Sequence, residues 1–203
     1  MKKVVLTSIL GALYLATSAQ ISEYKPDATY PVEIKTSTDE DEGGDNPYDC
    51  FPVTSIKASS HLKQQGNNNY SENNLYDLDD ATAWVEGVKG YGKGEYVIYN
   101  LKDVIADFNG IYVTNGYAKN EQDWENNSRV KKLKVYYNNK AVAILNLEDS
   151  RTTQHFDISD LKLNFKQETL EQKFILKFEI IDTYPGKKFD DTAISEISFG
   201  DCY

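Results

Sequence analysis

The sequence predicts an all-β protein, an antiparallel β-sandwich, and three observations carry that prediction. Short segments of alternating, β-branched and aromatic residues recur from Phe51 onward. No long helical period stands between them, so successive strands pair antiparallel and stack rather than alternate with helices. From Cys50 to the C-terminus about 150 residues remain, the size of one ordinary domain.

In chain order the predicted strands are FPVTSIKA, GEYVIYNL, FNGIYVTNG, RVKKLKVYYN, KAVAILNL, QHFDI, KFILKFEII and AISEISF. The stretch NLYDLDDATAW, after the first of these, holds at most a helical turn. GEYVIYNL is a strand by its β-branched and aromatic content. KVYYNNKAVAI carries a hairpin signal, with Asn138 and Asn139 in the turn between two strands. In KFILKFEII one face collects Phe174, Leu176, Phe178 and Ile180, and the other carries Ile175, Lys177 and Glu179. That period of two places the first set in a core. No internal repeat is present.

The N-terminus predicts export. Lys2 and Lys3 precede an apolar run from Val4 to Ala16, followed by small residues up to Ala19. This is the pattern of a signal peptide over residues 1–19, cleaved near Ala19-Gln20. The run is too short for a stable span, and no other stretch reaches the roughly 18 to 20 apolar residues that membrane insertion requires. No cysteine follows the cleavage region, which argues against a lipid anchor. The expected location is the periplasm, the cell surface or the medium of a Gram-negative bacterium. The stretch between the signal and Cys50, with the acidic core TSTDEDEGGDNPYD, buries too little to offset its ordering entropy, and residues 20–47 read as a disordered tether.

Removing Lys2 and Lys3 lowers the basic residues from 22 to 20 against 32 acids, so the net charge moves from -10 to -12. Nothing in such a chain resembles the clustered Lys and Arg that nucleic acid requires. The two cysteines, Cys50 and Cys202, flank the predicted domain. In an oxidising compartment they are expected to form one disulfide joining its ends, worth up to about 4 to 5 kcal/mol by loop entropy.

Gly87, Gly92 and Lys93 come close to the phosphate loop G-x-x-x-x-G-K-[ST], but Gly94 stands where a hydroxyl is needed. The stretch also runs into a strand instead of a helix, so no helix N-terminus is offered to a phosphate. Its glycines read as backbone freedom in a long inter-strand loop, either a plain surface loop or a binding loop.

Upstream, NLYDLDDATAWVEG resembles the signature of discoidin-like domains, also called galactose-binding-like or coagulation-factor type-C domains. Asn74, Asp77, Asp79, Thr82 and Trp84 occupy the signature's places, with Leu78 where glycine is usual. AWVEGVKGYGKGEYVIYNL, NGYAKN and NNSRVKKLKVYYNN are most similar to one branch, the glycan-binding domain of bacterial NAD glycohydrolase toxins. The resemblance covers residues 51–203 and implies a jelly-roll sandwich whose ends meet, consistent with the Cys50–Cys202 pairing.

The resemblance also implies a structural calcium ion. Its ligands would be the carboxylates of Asp77 and Glu196, Thr82, and backbone carbonyls of Asn74 and Asp79, all hard oxygen donors. The alternative is that Asp77 and Thr82 only cap a turn. The implied glycan-binding residues are Glu86, Tyr91, Asn115, Tyr117, Lys119, Trp124 and Arg129. Trp84 is expected in the core. Trp124, set in KNEQDWENNSR, has no local apolar neighbour and reads as an exposed platform for a sugar face. Glu86 and Arg129 would hold hydroxyls, and Lys119 would add charge for an acidic glycan. Alternatively Arg129 and Lys119 pair with Glu86 or Glu95.

No motif singles out a catalytic pair of carboxylates, and His61 and His155 lie in unrelated contexts. The expected function is therefore non-catalytic carbohydrate binding, with a cell-surface protein-binding or adhesion module as the alternative.

Overall fold

The computed structural model describes residues 21–32, 34, 51–102, 104, 108–165 and 173–200. Its strands are β1 (Ser22–Tyr24), β2 (Ala28–Tyr30), β3 (Val53–Ala58), β4 (Trp84–Val85), β5 (Tyr96–Leu101), β6 (Gly110–Asn115), β7 (Ser128–Tyr137), β8 (Lys140–Asn146), β9 (Thr153–Asp157), β10 (Phe174–Tyr184) and β11 (Thr192–Phe199). One short helix, α1 (Glu121–Asn126), and 3-10 turns at Glu72–Tyr76 and Ser159–Leu161 complete the described elements.

The strands join in the order β2-β9-β6-β11-β7-β10-β5-β3, with β8 also on β7, β1 on β8 and β4 on β11. Nearly all pairs are antiparallel; β11 meets β7 in parallel over Thr192–Ser128 and Ala193–Arg129. At that joint the sheet folds over itself into a sandwich. One layer runs from β3 through β5, β10 and β7 to β8, and the other from β11 through β6 to β9. Contacts between non-adjacent strands show the layers face to face. Phe178 of β10 stacks on Phe199 of β11 with centroids 6.0 Å apart, and Tyr99 of β5 donates its hydroxyl to Ile197 O at 3.3 Å.

The alternation in β10 places Phe174, Leu176, Phe178 and Ile180 in the core, as their spacing predicts. Trp84 is fully buried, with Nε1 donating to Ser60 O at 2.9 Å. The β7–β8 hairpin turns on Asn138 and Asn139, at φ 46° and 68°, the two positive values that a tight primed turn requires. No helix among the described residues is long and apolar enough to cross a membrane.

The N-terminal segment departs from the expected tether. β1 pairs in parallel with β8, and β2 pairs antiparallel with β9. A single strap thus covers the outer edge of both layers. Edge strands exposed on their outer face need little apolar content, because the open N–H and C=O groups of β8 and β9 supply their partners. Side chains fix it further: Tyr24 donates to Asp160 Oδ1 at 2.7 Å. Asp27 Oδ1 accepts from Asp157 N at 3.0 Å and lies 2.9 Å from His155 Nδ1. The signal segment 1–19, residues 35–47 of the tether, Cys50 and Cys202 lie outside the described residues.

Candidate functional site

The loops around residues 86–95, 116–127, 147–152 and 185–191 gather at one end of the sandwich, where β6 ends and β7, β9 and β11 begin. Glu86 lies beneath the first of these loops, fully buried. Its carboxylate accepts from Val88 N at 2.8 Å and Thr192 N at 3.1 Å, tying the loop to the start of β11. Burial pushes its carboxyl up to about 7, although both N–H donors hold it down. Gly92 closes over it. A Cβ there would meet Glu86 Cγ at 2.5 Å, and the φ of 62° already favours glycine. Thr192 Oγ1 donates to Tyr91 O at 3.0 Å, and the Tyr91 side chain stays exposed.

Asn115, Trp124 and Arg129 come together in one cluster, and Trp124 is a correction to the sequence reading. It is only 9 % exposed. Asn120 caps α1 by accepting from Asp123 N at 2.9 Å, and this turns Trp124 inward. The indole Nε1 donates to Asn115 O at 2.9 Å, and the Arg129 guanidinium lies 4.5 Å from the ring centroid. Gly116 makes room for both: a Cβ would meet Arg129 Cγ at 2.6 Å and Trp124 Cδ1 at 2.8 Å. The polar neighbours of Trp124 in sequence hid this, because its cover comes from β7 and the end of β6.

Asn115 is fully committed to the frame, donating to Val130 O at 2.7 Å and accepting from Val130 N at 2.9 Å. Arg129 pairs with Asp149, through Nε to Oδ1 at 2.8 Å and Nη2 to Oδ2 at 3.0 Å, and not with Glu86 or Glu95. Its Nη1 donates to Asn127 O at 2.9 Å. Glu95 instead accepts from the hydroxyls of Ser59 and Ser60.

Tyr117 packs edge-on against Tyr70, centroids 6.2 Å apart, in a small apolar cluster with Ala83, Val85 and Ala193. Burial, with Tyr70, Asp123 and Asp79 nearby, pushes the Tyr117 phenol up to about 12. Both residues are only 8 % exposed, and neither hydroxyl has a partner among the described residues. Lys119 is exposed beside them. Sequence reasoning missed Tyr70, Asp149 and Arg151. The rarity of arginine, only Arg129 and Arg151 in the whole chain, was the available signal for the last.

The expected calcium ligands form a second arrangement. Thr82 Oγ1 donates to Asp77 Oδ2 at 2.8 Å, and its N donates to Asp79 O at 3.0 Å. Asp77 Oδ1 accepts from Asp79 N at 3.1 Å, so Asp77 caps the turn as the alternative expects, whereas the Thr82 hydroxyl only donates, to Asp77 and to Asp79 O. Asn74 Nδ2 donates to Asn69 O at 2.8 Å and to Ala83 O at 2.9 Å, which holds the residue in place beside this turn. Leu78 takes φ 61°, the left-handed value that glycine adopts without strain. Glu196 Oε2 accepts from Leu78 N at 3.3 Å, whereas Oε1 is buried without a partner among the described residues. Burial and the nearby Asp77 and Asp80 raise its carboxyl well above the usual range. A hard cation would satisfy that orphaned oxygen, so the donor set fits calcium. No three His, Cys, Asp or Glu side chains gather at one point among the described residues, so neutral oxygens would supply much of the coordination.

Residues 47–200 match the family described as the NAD glycohydrolase translocation F5/8 type C domain. No curated protein matches the chain. Among solved structures, the CBM32-1 and CBM32-2 domains of Clostridium perfringens ZmpB align with a TM-score of 0.55 at 15 % identity, over 91 % of this chain and 42 % of theirs. A larger structure holding those domains with the M60 catalytic domain of ZmpB aligns with a TM-score of 0.52 at 15 % identity, over 90 % of this chain and 17 % of that one. The chain therefore spans less than half of either structure. At this identity the likeness is one of fold.

Proposed function

The chain belongs to the NAD glycohydrolase translocation F5/8 type C domain family, and from that premise we propose that it is a non-catalytic carbohydrate-binding module acting outside the cytoplasm. One observation carries the reading. At one end of the sandwich, Tyr70 and Tyr117 form a rigid aromatic pair whose two hydroxyls have no partner among the described residues, with the exposed Lys119 beside them. A sugar needs an apolar surface for its C–H face and donors and acceptors for its hydroxyls, and rigid tyrosines supply both with little ordering cost. Tyr91 adds an exposed ring from the loop at the head of β11.

In this reading the seven residues implied by the resemblance divide by role. Tyr91, Tyr117 and Lys119 touch the ligand. Glu86, Asn115, Trp124 and Arg129 hold the loops that carry them. A calcium ion held by Asp77, Thr82, Glu196 and the carbonyls of Asn74 and Asp79 would brace the neighbouring turn from below. The alternative, a protein-binding or adhesion module, is favoured by the exposed apolar side chains of Val88 and Phe189.

A glycan array probed with the wild type, Tyr91→Ala and Tyr117→Phe separates the two. Carbohydrate binding predicts selective retention by the wild type and weakening in both variants. Retention of no glycan, together with capture of a cell-surface protein, would overturn it in favour of the alternative.

A further inference from the structure

The second arginine stands differently from the first. Every nitrogen of the Arg129 guanidinium is used, on Asp149, Asn127 and Trp124. Arg151 is half-buried, and only its Nε is engaged, donating to Ala118 O at 2.8 Å. The remaining four N–H groups, on Nη1 and Nη2, meet no acceptor among the described residues.

Both sides of that contact are rigid. Ala118 is fully buried, and its N–H donates to Ser195 Oγ at 3.0 Å. The turn carrying Arg151 is braced by the buried Gln154, which accepts from Glu148 N at 2.8 Å and donates to Glu148 O at 3.0 Å. Ser150 and Thr152, on either side of Arg151, are joined through their hydroxyls at 3.1 Å. Of the two acids next to this turn, Asp149 is already held by Arg129 and Glu148 is exposed. Asp123 across the rim is held by Asn120. The residues flanking Ala118 are Tyr117, whose hydroxyl has no partner among the described residues, and the exposed Lys119.

A guanidinium whose orientation is set before binding, with its outer edge open, matches the two oxygens of a carboxylate or sulfate in one plane. A flexible ammonium on the neighbouring residue adds charge without dictating geometry. Building on the carbohydrate reading, we infer that the module selects anionic glycans, the acidic group of the sugar seated on Arg151 beside Lys119 and a ring hydroxyl on Tyr117. The chain's overall negative charge opposes long-range attraction of such a ligand, so selectivity comes from the local fork and not from steering.

The test uses the full chain and matched probes: oligogalacturonate against its methyl ester, and a sulfated galactan oligosaccharide against its desulfated parent. The wild type is expected to bind at least one charged probe about 10- to 100-fold more tightly than its neutral partner, and the pair that shows it distinguishes carboxylate from sulfate. In Arg151→Gln that ratio falls to near one, and Arg151→Lys lies between. Equal affinity for charged and neutral members of both pairs would overturn the inference and leave carbohydrate binding standing. No affinity for any glycan would overturn the carbohydrate reading beneath it as well. Should Arg151→Gln fail to fold, the esterified and desulfated probes decide the matter on the unaltered protein.

Discussion

Replacing Glu86 by Gln tests the loop anchor on which the candidate site rests. The Glu86 carboxylate accepts two backbone N–H bonds, from Val88 and Thr192. Glutamine offers one oxygen and turns its amide nitrogen toward the second N–H, leaving a buried donor unpaired at a cost of about 1 to 3 kcal/mol. The variant also loses a titration. Glu86 ionises at about 7 in the fold against an ordinary value of 4.5, so the unfolded chain gives up this proton at lower pH than the folded one. The contribution to stability is therefore greatest below pH 4.5, declines as pH rises, and levels off above about 7. The full span corresponds to about 3 kcal/mol. Thermal melting of wild type and Glu86→Gln between pH 4.5 and 8 isolates the effect, because other groups cancel in the difference. The wild type should gain on the variant steadily as pH falls from 7 toward 4.5. Curves that stay parallel across that window would refute the buried, N–H-bound carboxylate.

Trp124→Ala should cost about 3 to 5 kcal/mol in denaturant unfolding, since it empties a buried site and strips the cover from Arg129; a loss below 1 kcal/mol would mean the ring is a surface platform after all. If calcium binds at Asp77 and Glu196, calcium at about 100 times its Kd adds about 2.7 kcal/mol of stability. Glu196→Gln abolishes that gain, and an unchanged melting temperature in EDTA with a near-neutral Asp77→Ala would exclude the ion. Asp27→Ala should loosen the N-terminal strap with only about 1 kcal/mol of global cost, because Asp27 is half exposed. Hydrogen exchange would read this as roughly fivefold faster exchange at residues 28–30 and Asp157, and unaltered exchange there would show that Asp27 does not anchor the strap.

What the sequence made legible was whatever depends on local periodicity. The core face of β10 and the Asn138–Asn139 hairpin follow from alternation and turn chemistry alone. β1 and β2 were hidden because an outer edge strand of three residues leaves no inward periodic face; its partners are backbone groups more than a hundred residues away. Trp124 misled for a related reason, since burial is decided by what covers a side chain and its cover is Arg129 and Gly116. Arg151 escaped notice because its meaning lies in bonds it does not make. Of the residues that the family resemblance singled out, the fold brings Asn115, Trp124 and Arg129 into one cluster, and only the geometry separates side chains that face outward from those that hold the frame.

The central claim is that the end of the sandwich carrying Tyr70, Tyr91, Tyr117 and Lys119 binds carbohydrate. An NMR titration of the isotopically labelled full chain, with whichever glycan is retained best on an array, tests it residue by residue. The account predicts saturable amide shifts within residues 88–92, 116–119 and 150–152, with the Asn138–Asn139 turn at the opposite end unmoved. The absence of saturable shifts with any glycan, or shifts confined to that opposite turn, would contradict it.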